Sequence, residues 1–174
     1  TVRKCTVHVE RNKMTNSNNI NKELEPSPYS GAILAGGKNL RMNGFNKSFI
    51  KIGNSTIIDR ILNVYTKIFR EIILVTNNPG QFRQYKKKVT IVSDIIKGVG
   101  PLGGIHAGLS NTKKKAVFFV ACDMPFLDFD TIKKQLDCFT NTDCDVLIPK
   151  IGRVIEPLHG IYKTGIKNKL GKFL

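Results

Sequence analysis

Acidic residues are scarce in this chain: 13 aspartates and glutamates stand against 28 lysines and arginines, a formal charge of +15 over 174 residues. Tryptophan is absent, and histidine occurs only three times. The four cysteines (Cys5, Cys122, Cys138, Cys144) form no C-x-x-C pair and show no zinc spacing with the histidines. That excludes a zinc finger or a dithiol redox motif and leaves small apolar core roles, as in a reducing compartment. No apolar run approaches the length of a membrane span, and the polar, charged start does not read as a signal peptide. A soluble cytoplasmic protein without a membrane partner is the expectation. Also missing are the Gly-Lys-Ser/Thr ending of a Walker A loop and the G-x-G-x-x-G dinucleotide spacing.

The basic excess admits two readings. A polyanionic partner is one, whether nucleotide, nucleic acid or membrane surface. The other is compositional, because Lys, Asn and Ile are inflated together. The lysines are spread along the whole chain, and the triplets Lys86-Lys87-Lys88 and Lys113-Lys114-Lys115 each sit just before an expected strand, where solvated turns belong. Aromatic residues are not interleaved with the basic ones as in a nucleic-acid binder, so nucleic acid is not an expected partner.

What the chain does have is the run Ala32-Ile-Leu-Ala-Gly-Gly-Lys-Asn-Leu-Arg-Met-Asn-Gly-Phe-Asn-Lys47. An apolar strand ends in Gly36 and Gly37, and the loop beyond carries Lys38, Arg41 and Lys47. Glycines at the end of a buried strand let backbone N–H groups approach a phosphate with no Cβ in the way. The cations suit a triphosphate and have no role in folding; Lys38 is expected to face solvent.

Residues 1–29 differ from the rest. Val7-His8-Val9 reads as a short strand, but 14–28 is rich in Asn, Lys, Ser and Pro and cannot bury enough apolar area to offset its ordering entropy. It is expected to be a polar extension or linker, with the domain over 30–174. From there strands are expected at 31–35, 71–76, 89–93, 116–121 and 145–149, each a short aliphatic run bounded by turn residues. Helices are expected at 55–69, with Ile57, Ile58, Ile61, Leu62, Tyr65, Ile68 and Phe69 on one stripe, at 102–110, and at 129–139 behind an Asp128 cap. Alternating strands and helices predict an α/β sandwich on a mainly parallel sheet. Ligands of such sheets bind outside the carboxyl ends of the strands. Gly36, Thr76, Asp94 and Asp123 all follow expected strands, so one edge would gather them.

Two further segments, Gly100-Pro-Leu-Gly-Gly104 six residues after Asp94 and Ala121-Cys-Asp-Met-Pro-Phe-Leu127, complete a set. Together with the first loop, and in this order, they resemble the motifs of the molybdenum cofactor guanylyltransferases, within the nucleotidyltransferase superfamily. The resemblance runs over roughly residues 31–162. It implies a three-layer α/β/α sandwich with a Rossmann-like sheet of the nucleotide-diphospho-sugar transferase type. It also implies GTP and molybdopterin (molybdenum cofactor) as substrates, Mg2+ as cofactor, and contact with cofactor-biosynthesis or molybdoenzyme maturation proteins. Leu34, Ala35, Gly36, Gly37, Lys47, Asp94 and Asp123 would bind the nucleotide, and Lys47, Arg41 and Asp123 would be catalytic. The chain departs from the family's usual Gly at Asn43 and Asp at Asn46, and the latter removes a carboxylate beside Lys47. The family normally continues past the equivalent of Leu174, so the C-terminal end of the domain is expected to be missing here.

A carboxylate at the end of a buried strand suits Asp123 to Mg2+, which takes one or two carboxylates plus phosphate oxygens and waters; capping the next helix is its alternative role. Lys47, with Arg41 second, would neutralise charge on the leaving pyrophosphate. Asp94 could accept from a guanine edge or from a ribose hydroxyl. Thr76-Asn77-Asn78 reads as an ordinary turn, His106 as a helix-surface residue, and His159 receives no catalytic role. Gly103 and Gly104 open the His106 helix, whose amides could face an anion. The expected reaction is attack of a molybdopterin phosphate oxygen on the α-phosphorus of GTP, which needs no general base. Rival readings are a cytidylyl or sugar-phosphate nucleotidyltransferase and a non-catalytic nucleotide-binding accessory.

Overall fold

A computed structural model describes residues 2–8, 26–36 and 46–174. The longest amphipathic segment forms α1 (Ile57–Ile68), whose Ile57, Ile58, Ile61, Leu62, Tyr65 and Ile68 are all buried, the expected stripe. Thr56 caps it: its hydroxyl accepts the Asp59 N–H while the Asp59 carboxylate reaches back to the Thr56 backbone N–H. The helix therefore starts two residues later than expected, because Ser55 and Thr56 form β4 (Ser55–Thr56), paired antiparallel with β3 (Lys51–Ile52). α2 (Pro101–Ser110) opens at Gly100, whose φ of 64° and ψ of −147° favour glycine. α3 (Phe129–Thr140) is capped by Asp128 as expected, its carboxylate accepting from the Thr131 N–H at 2.8 Å. α4 (Lys167–Phe173) closes the chain.

The remaining strands are β1 (Lys4–His8), β2 (Ser30–Leu34), β5 (Ile72–Val75), β6 (Thr90–Val92), β7 (Ala116–Ala121), β8 (Val146–Ile151), β9 (Val154–Ile155) and β10 (His159–Lys163). They form one sheet in the order β1-β8-β10-β7-β2-β5-β6, with β9 hairpinned onto β8. Every pair along that order is parallel except those of β10, which runs antiparallel to both neighbours. The sheet is thus mainly parallel, with one reversed inner strand. The five expected strands are all present within two residues of the expected ends.

Helices cover both faces. α1 and α3 pack one side through Ile58, Ile61, Ile132 and Leu136 onto Ile33, Phe118 and Leu147. α2 and α4 take the other, with Ile105 and Leu109 on Ala32, Phe119 and Val117, and Leu170 against the same cluster. β2 and β7 are apolar on both faces because both faces are covered. Each fully buried aliphatic side chain there is worth about 1.5–3 kcal/mol. α2 sits close to the sheet at Gly108, where a Cβ would lie 2.5 Å from Phe119 Cε1. The boundary expected at residue 29 does not hold for the first strand: Lys4–His8 is an edge strand of the sheet, parallel to β8, and its Cys5 and Val7 pack on the core. Ser27 is buried as well, its N–H bonded to Ile68 O at 2.8 Å.

Candidate active site

β2 and β7 are adjacent, but the chain leaves β2 toward β5 and leaves β7 toward the opposite half of the sheet. Such a reversal opens a crevice at the carboxyl ends of the two strands. Its floor is fixed by backbone bonds: Ala35 N–H to Val75 O at 2.8 Å and Cys122 N–H to Leu34 O at 3.0 Å. Leu34 and Ala35 are buried and Gly36 is exposed at the strand's end. Gly37, Lys38, Arg41 and Asn43, which carried further expectations, lie outside the described residues.

Lys47 begins a 3₁₀ turn, Lys47–Phe49, and is exposed. Asn46 caps that turn by accepting the Ser48 N–H at 3.0 Å, and its Nδ2 donates to Gln81 Oε1 at 3.1 Å. Asn46 is 5% exposed, so an amide here has two partners on opposite sides and a carboxylate could keep only the first without a rearrangement of Gln81. Asp123 follows β7 and is exposed, its carboxylate making no hydrogen bond or ion pair among the described residues. Lys47, Ser48 and Asp123 all lie near enough to the Cys122 thiol to act on its ionisation. Burial pushes this thiol above its ordinary value; the Ser48 hydroxyl and Lys47 ammonium oppose the push and the Asp123 carboxylate adds to it. Cys122 is consequently a neutral thiol at pH 7 and not a nucleophile.

On the other side of the crevice Asn77 braces Asp94. Asn77 Nδ2 donates to Asp94 Oδ2 at 2.7 Å, and Asn77 Oδ1 accepts the Asp94 N–H at 3.3 Å. The turn beneath is tied by Ser93 Oγ to Thr76 O at 2.9 Å and by the Thr76 N–H to Val92 O at 2.8 Å. Asp94 lies over the first turn of α2, where a Cβ on Gly104 would come within 3.8 Å of Oδ1. Gly103 and Gly104 are both buried, packed against Ile96, Val99 and Leu34, so their first service is close approach. The Asn77 brace was hidden in what reads as a plain Asn-Asn-Pro turn. His106, expected on the helix surface, is half-buried beneath α4, its Nε2 3.0 Å from where a Gly171 Cβ would stand.

Past Asp123 the segment Met124–Leu127 turns outward and Phe126 is 77% exposed, with the Arg60 guanidinium carbon 5.9 Å from its ring centroid. A cavity of about 360 Å3 opens there, walled by this segment, α3, the end of β8 and the start of β10. Gln135 and His159 line it, Gln135 Nε2 lying 3.3 Å from His159 Nδ1, and the His159 ring stands edge-on to Phe118 at 5.2 Å. Burial lowers the His159 pKa, which keeps the ring neutral. His159 is thus a wall of the cavity. No helix among the described residues is long and apolar enough to cross a membrane.

A two-faced α/β sandwich whose central crevice gathers a glycine-ended strand, a lysine turn and a lone carboxylate is a nucleotidyltransferase domain of the nucleotide-diphospho-sugar transferase type. More narrowly, the chain belongs to the MobA-like NTP transferase domain family, whose model matches residues 31–174. Among curated relatives, a probable molybdenum cofactor guanylyltransferase of Clostridium perfringens is 41% identical over 83% of this chain and 71% of its own length. One from Peptoclostridium acidaminophilum is 40% identical over 88% of this chain and 71% of its own length. Among solved structures, molybdopterin-guanine dinucleotide biosynthesis protein A of Archaeoglobus fulgidus superposes with a TM-score of 0.68 at 26% identity, covering 82% of this chain and 71% of that one. A cytidylyltransferase of Leptospira borgpetersenii reaches 0.65 at 16% identity over 85% and 65% of the two chains, a likeness of fold alone.

Proposed function

We propose that this protein transfers GMP from GTP to the phosphate of molybdopterin, forming molybdopterin guanine dinucleotide and releasing pyrophosphate. The observation that carries the transfer chemistry is the placement of Asp123 at the end of β7, held beside the end of β2 by Cys122 N–H to Leu34 O, with Lys47 near enough to share its electrostatic environment, in the crevice where the strand order reverses. Guanine and molybdopterin come from the relatives named as molybdenum cofactor guanylyltransferases at 35–41% identity. The acceptor's phosphate oxygen forms a bond to the α-phosphorus, and the bond from that phosphorus to the oxygen bridging to the β-phosphate breaks. The attacking oxygen is already ionised at neutral pH, which matches a site whose only thiol is neutral. Lys47 neutralises charge on the departing pyrophosphate, the amides at the end of β2 approach the phosphates, and Asp94, held by Asn77, meets the nucleoside.

Mg2+ fits Asp123. The described residues hold no cluster of three metal-ligating side chains, but Mg2+ needs only one or two carboxylates beside phosphate oxygens and water, and the Asp123 carboxylate has no hydrogen-bond or ion-pair partner among the described residues. When bound, the ion supplies charge neutralisation on the phosphate oxygens. The cytoplasm is the proposed setting of the reaction. The test is pyrophosphate release with each nucleoside triphosphate, with and without molybdopterin. Release that requires both GTP and molybdopterin is expected. CTP ranking first would move the protein to cytidylyl transfer, and no release with any triphosphate would leave a nucleotide-binding accessory.

A further inference from the structure

Lys47 and Asp123 stand on separate segments. Lys47 opens the 3₁₀ turn that runs through Ile50 into β3, and Asp123 opens the stretch that leaves β7 through Met124–Leu127. Neither stretch is a strand of the large sheet, so the sheet alone does not set the spacing between the two side chains.

Arg60 touches both stretches. It lies in the first half of α1 and is half-buried. Its Nη2 donates to Ile52 O at 2.9 Å, where β3 ends. Gly53 turns the chain there with a φ of 63°, and a Cβ on it would stand 3.9 Å from the same Nη2, so the guanidinium lies against the β3–β4 turn. The start of α1 holds the near end of the same hairpin, through Ile57 N–H to Ile50 O at 3.0 Å. On its other side the guanidinium carbon is 5.9 Å from the Phe126 ring centroid, within cation–π reach.

Two features have no explanation in core packing. Met124 and Leu127 pack on the core, while Phe126 between them is 77% exposed, a large ring turned to Arg60 instead. The Arg60 Nε is buried without a hydrogen-bond partner, a cost that local stability does not require. The neighbouring carboxylate does not answer it, because Asp59 is engaged by Thr56 and by the Tyr85 hydroxyl at 3.0 Å.

We propose that Arg60 is a positioning residue, a clasp that joins the hairpin behind Lys47 to the segment behind Asp123 and so sets the spacing of the lysine and the carboxylate along the triphosphate. It touches no reacting atom and acts through a hydrogen bond on one side and a ring face on the other. The effect on turnover rests on the nucleotidyl-transfer reading; the clasp itself does not.

The chain contains no tryptophan, so Phe126→Trp places a single fluorophore on the clasp. With Arg60 present the indole is partly protected from acrylamide, and adding Arg60→Met, which keeps a long stem without the charge or the donors, removes that protection. Single-turnover pyrophosphate release is then followed with GTP and molybdopterin both saturating. Arg60→Met and Phe126→Leu, the latter at an exposed position that cannot unfold the core, each slow release about tenfold or more, as a misplacement of about 1 Å does. The double variant is no slower than the slower single one, because either change opens the same clasp. The thermal shift with GTP holds in all three, which a general loosening of α1 would not allow. Equal quenching with and without Arg60, unchanged release in both single variants, or rate losses that multiply in the double variant would each overturn the proposal. If the natural chain releases no pyrophosphate with any triphosphate, the transfer reading falls and the positioning role with it, while the quenching comparison still shows whether Arg60 holds Phe126.

Discussion

Replacing Lys47 by alanine separates catalysis from folding. The side chain is exposed and makes no hydrogen bond or ion pair among the described residues, and its structural contribution is a backbone carbonyl that accepts the Ile50 N–H at 3.1 Å, which alanine keeps. Exposed substitutions of this kind stay within about 0.5 kcal/mol. For a chain of this size 1 kcal/mol moves the melting temperature by about 2–4 °C, so the shift should be about 2 °C at most. The electrostatic loss is larger. A unit charge at about 4 Å and an effective dielectric of about 20 is worth about 4 kcal/mol, and mutational removal of one such stabilising contact costs about 10²-fold or more in rate, equivalent to about 2.7 kcal/mol. Single-turnover pyrophosphate release under saturating GTP, paired with a thermal melt, reads both quantities. A loss under about tenfold in a variant with an unchanged melt removes Lys47 from the reaction. A drop of more than about 5 °C would show instead that the 3₁₀ turn depends on the side chain.

Asn77→Ala removes the brace on Asp94 at an exposed position, so the unliganded melt should hardly move, while GTP affinity falls about 3–10-fold in a thermal-shift titration; an unchanged titration would mean that Asp94 needs no brace. Gly108→Ala sets a helix-propensity gain of about 1 kcal/mol against overpacking of about 1–3 kcal/mol on the fully buried Phe119 ring. The melt should fall, and a rise would show that Phe119 yields freely. Deleting residues 1–8 strips Cys5 and Val7 from the core and bares the edge of β8, at a cost of about 1–2 kcal/mol and with concentration-dependent light scattering; a melt and scattering identical to the full chain would make β1 dispensable. The buried His159 has its pKa depressed, so the unfolded chain takes up a proton near pH 6.5 that the folded one refuses. Stability should therefore decline as pH falls from 7 through 6, and His159→Gln should flatten that slope; parallel slopes would deny the ring its burial.

The parts of the fold legible in the sequence are those whose physics is local. Ile57 to Phe69 announces its helix through one apolar stripe and the Thr56–Asp59 pair, and Val117 to Val120 announces a strand covered on both sides. β1 and β10 were not legible in the same way. Lys4–His8 alternates exposed and half-buried residues because only one of its faces meets the core, and alternation over five residues within a polar stretch is a weak signal. His159–Lys163 gives no hint of its reversed direction, which is set by β7 and β8 on either side. The site divides likewise. The shared edge that gathers Gly36, Asp94 and Asp123 was legible from strand ends, whereas Leu34 and Ala35 as nucleotide contacts come only from the family resemblance. Asn77 and Gln135 were legible from neither, since each is defined by a partner, Asp94 or His159, that the fold brings from 17 or 24 positions away. Asn46 reads in sequence as a lost charge and in three dimensions as an amide holding two elements together.

The parallel pairing of β1 with β8 also has a bearing on the order in which the molecule assembles. Arg3 and Asp145 meet across 142 positions, so Lys4–His8 must wait until β8 has been made before its partner is available. Loop closure over such a distance comes late, and parallel pairings of high contact order are slow. During synthesis the half of the sheet from β2 to β7 can condense around α1 and α2 while Lys4–His8 trails unattached, its own edge charged at Lys4 rather than purely apolar. The crevice that holds Lys47, Asp94 and Asp123 lies wholly within that early half. The edge that carries these side chains is then built before the sheet is finished, and the cavity beside β8 and β10 is completed last.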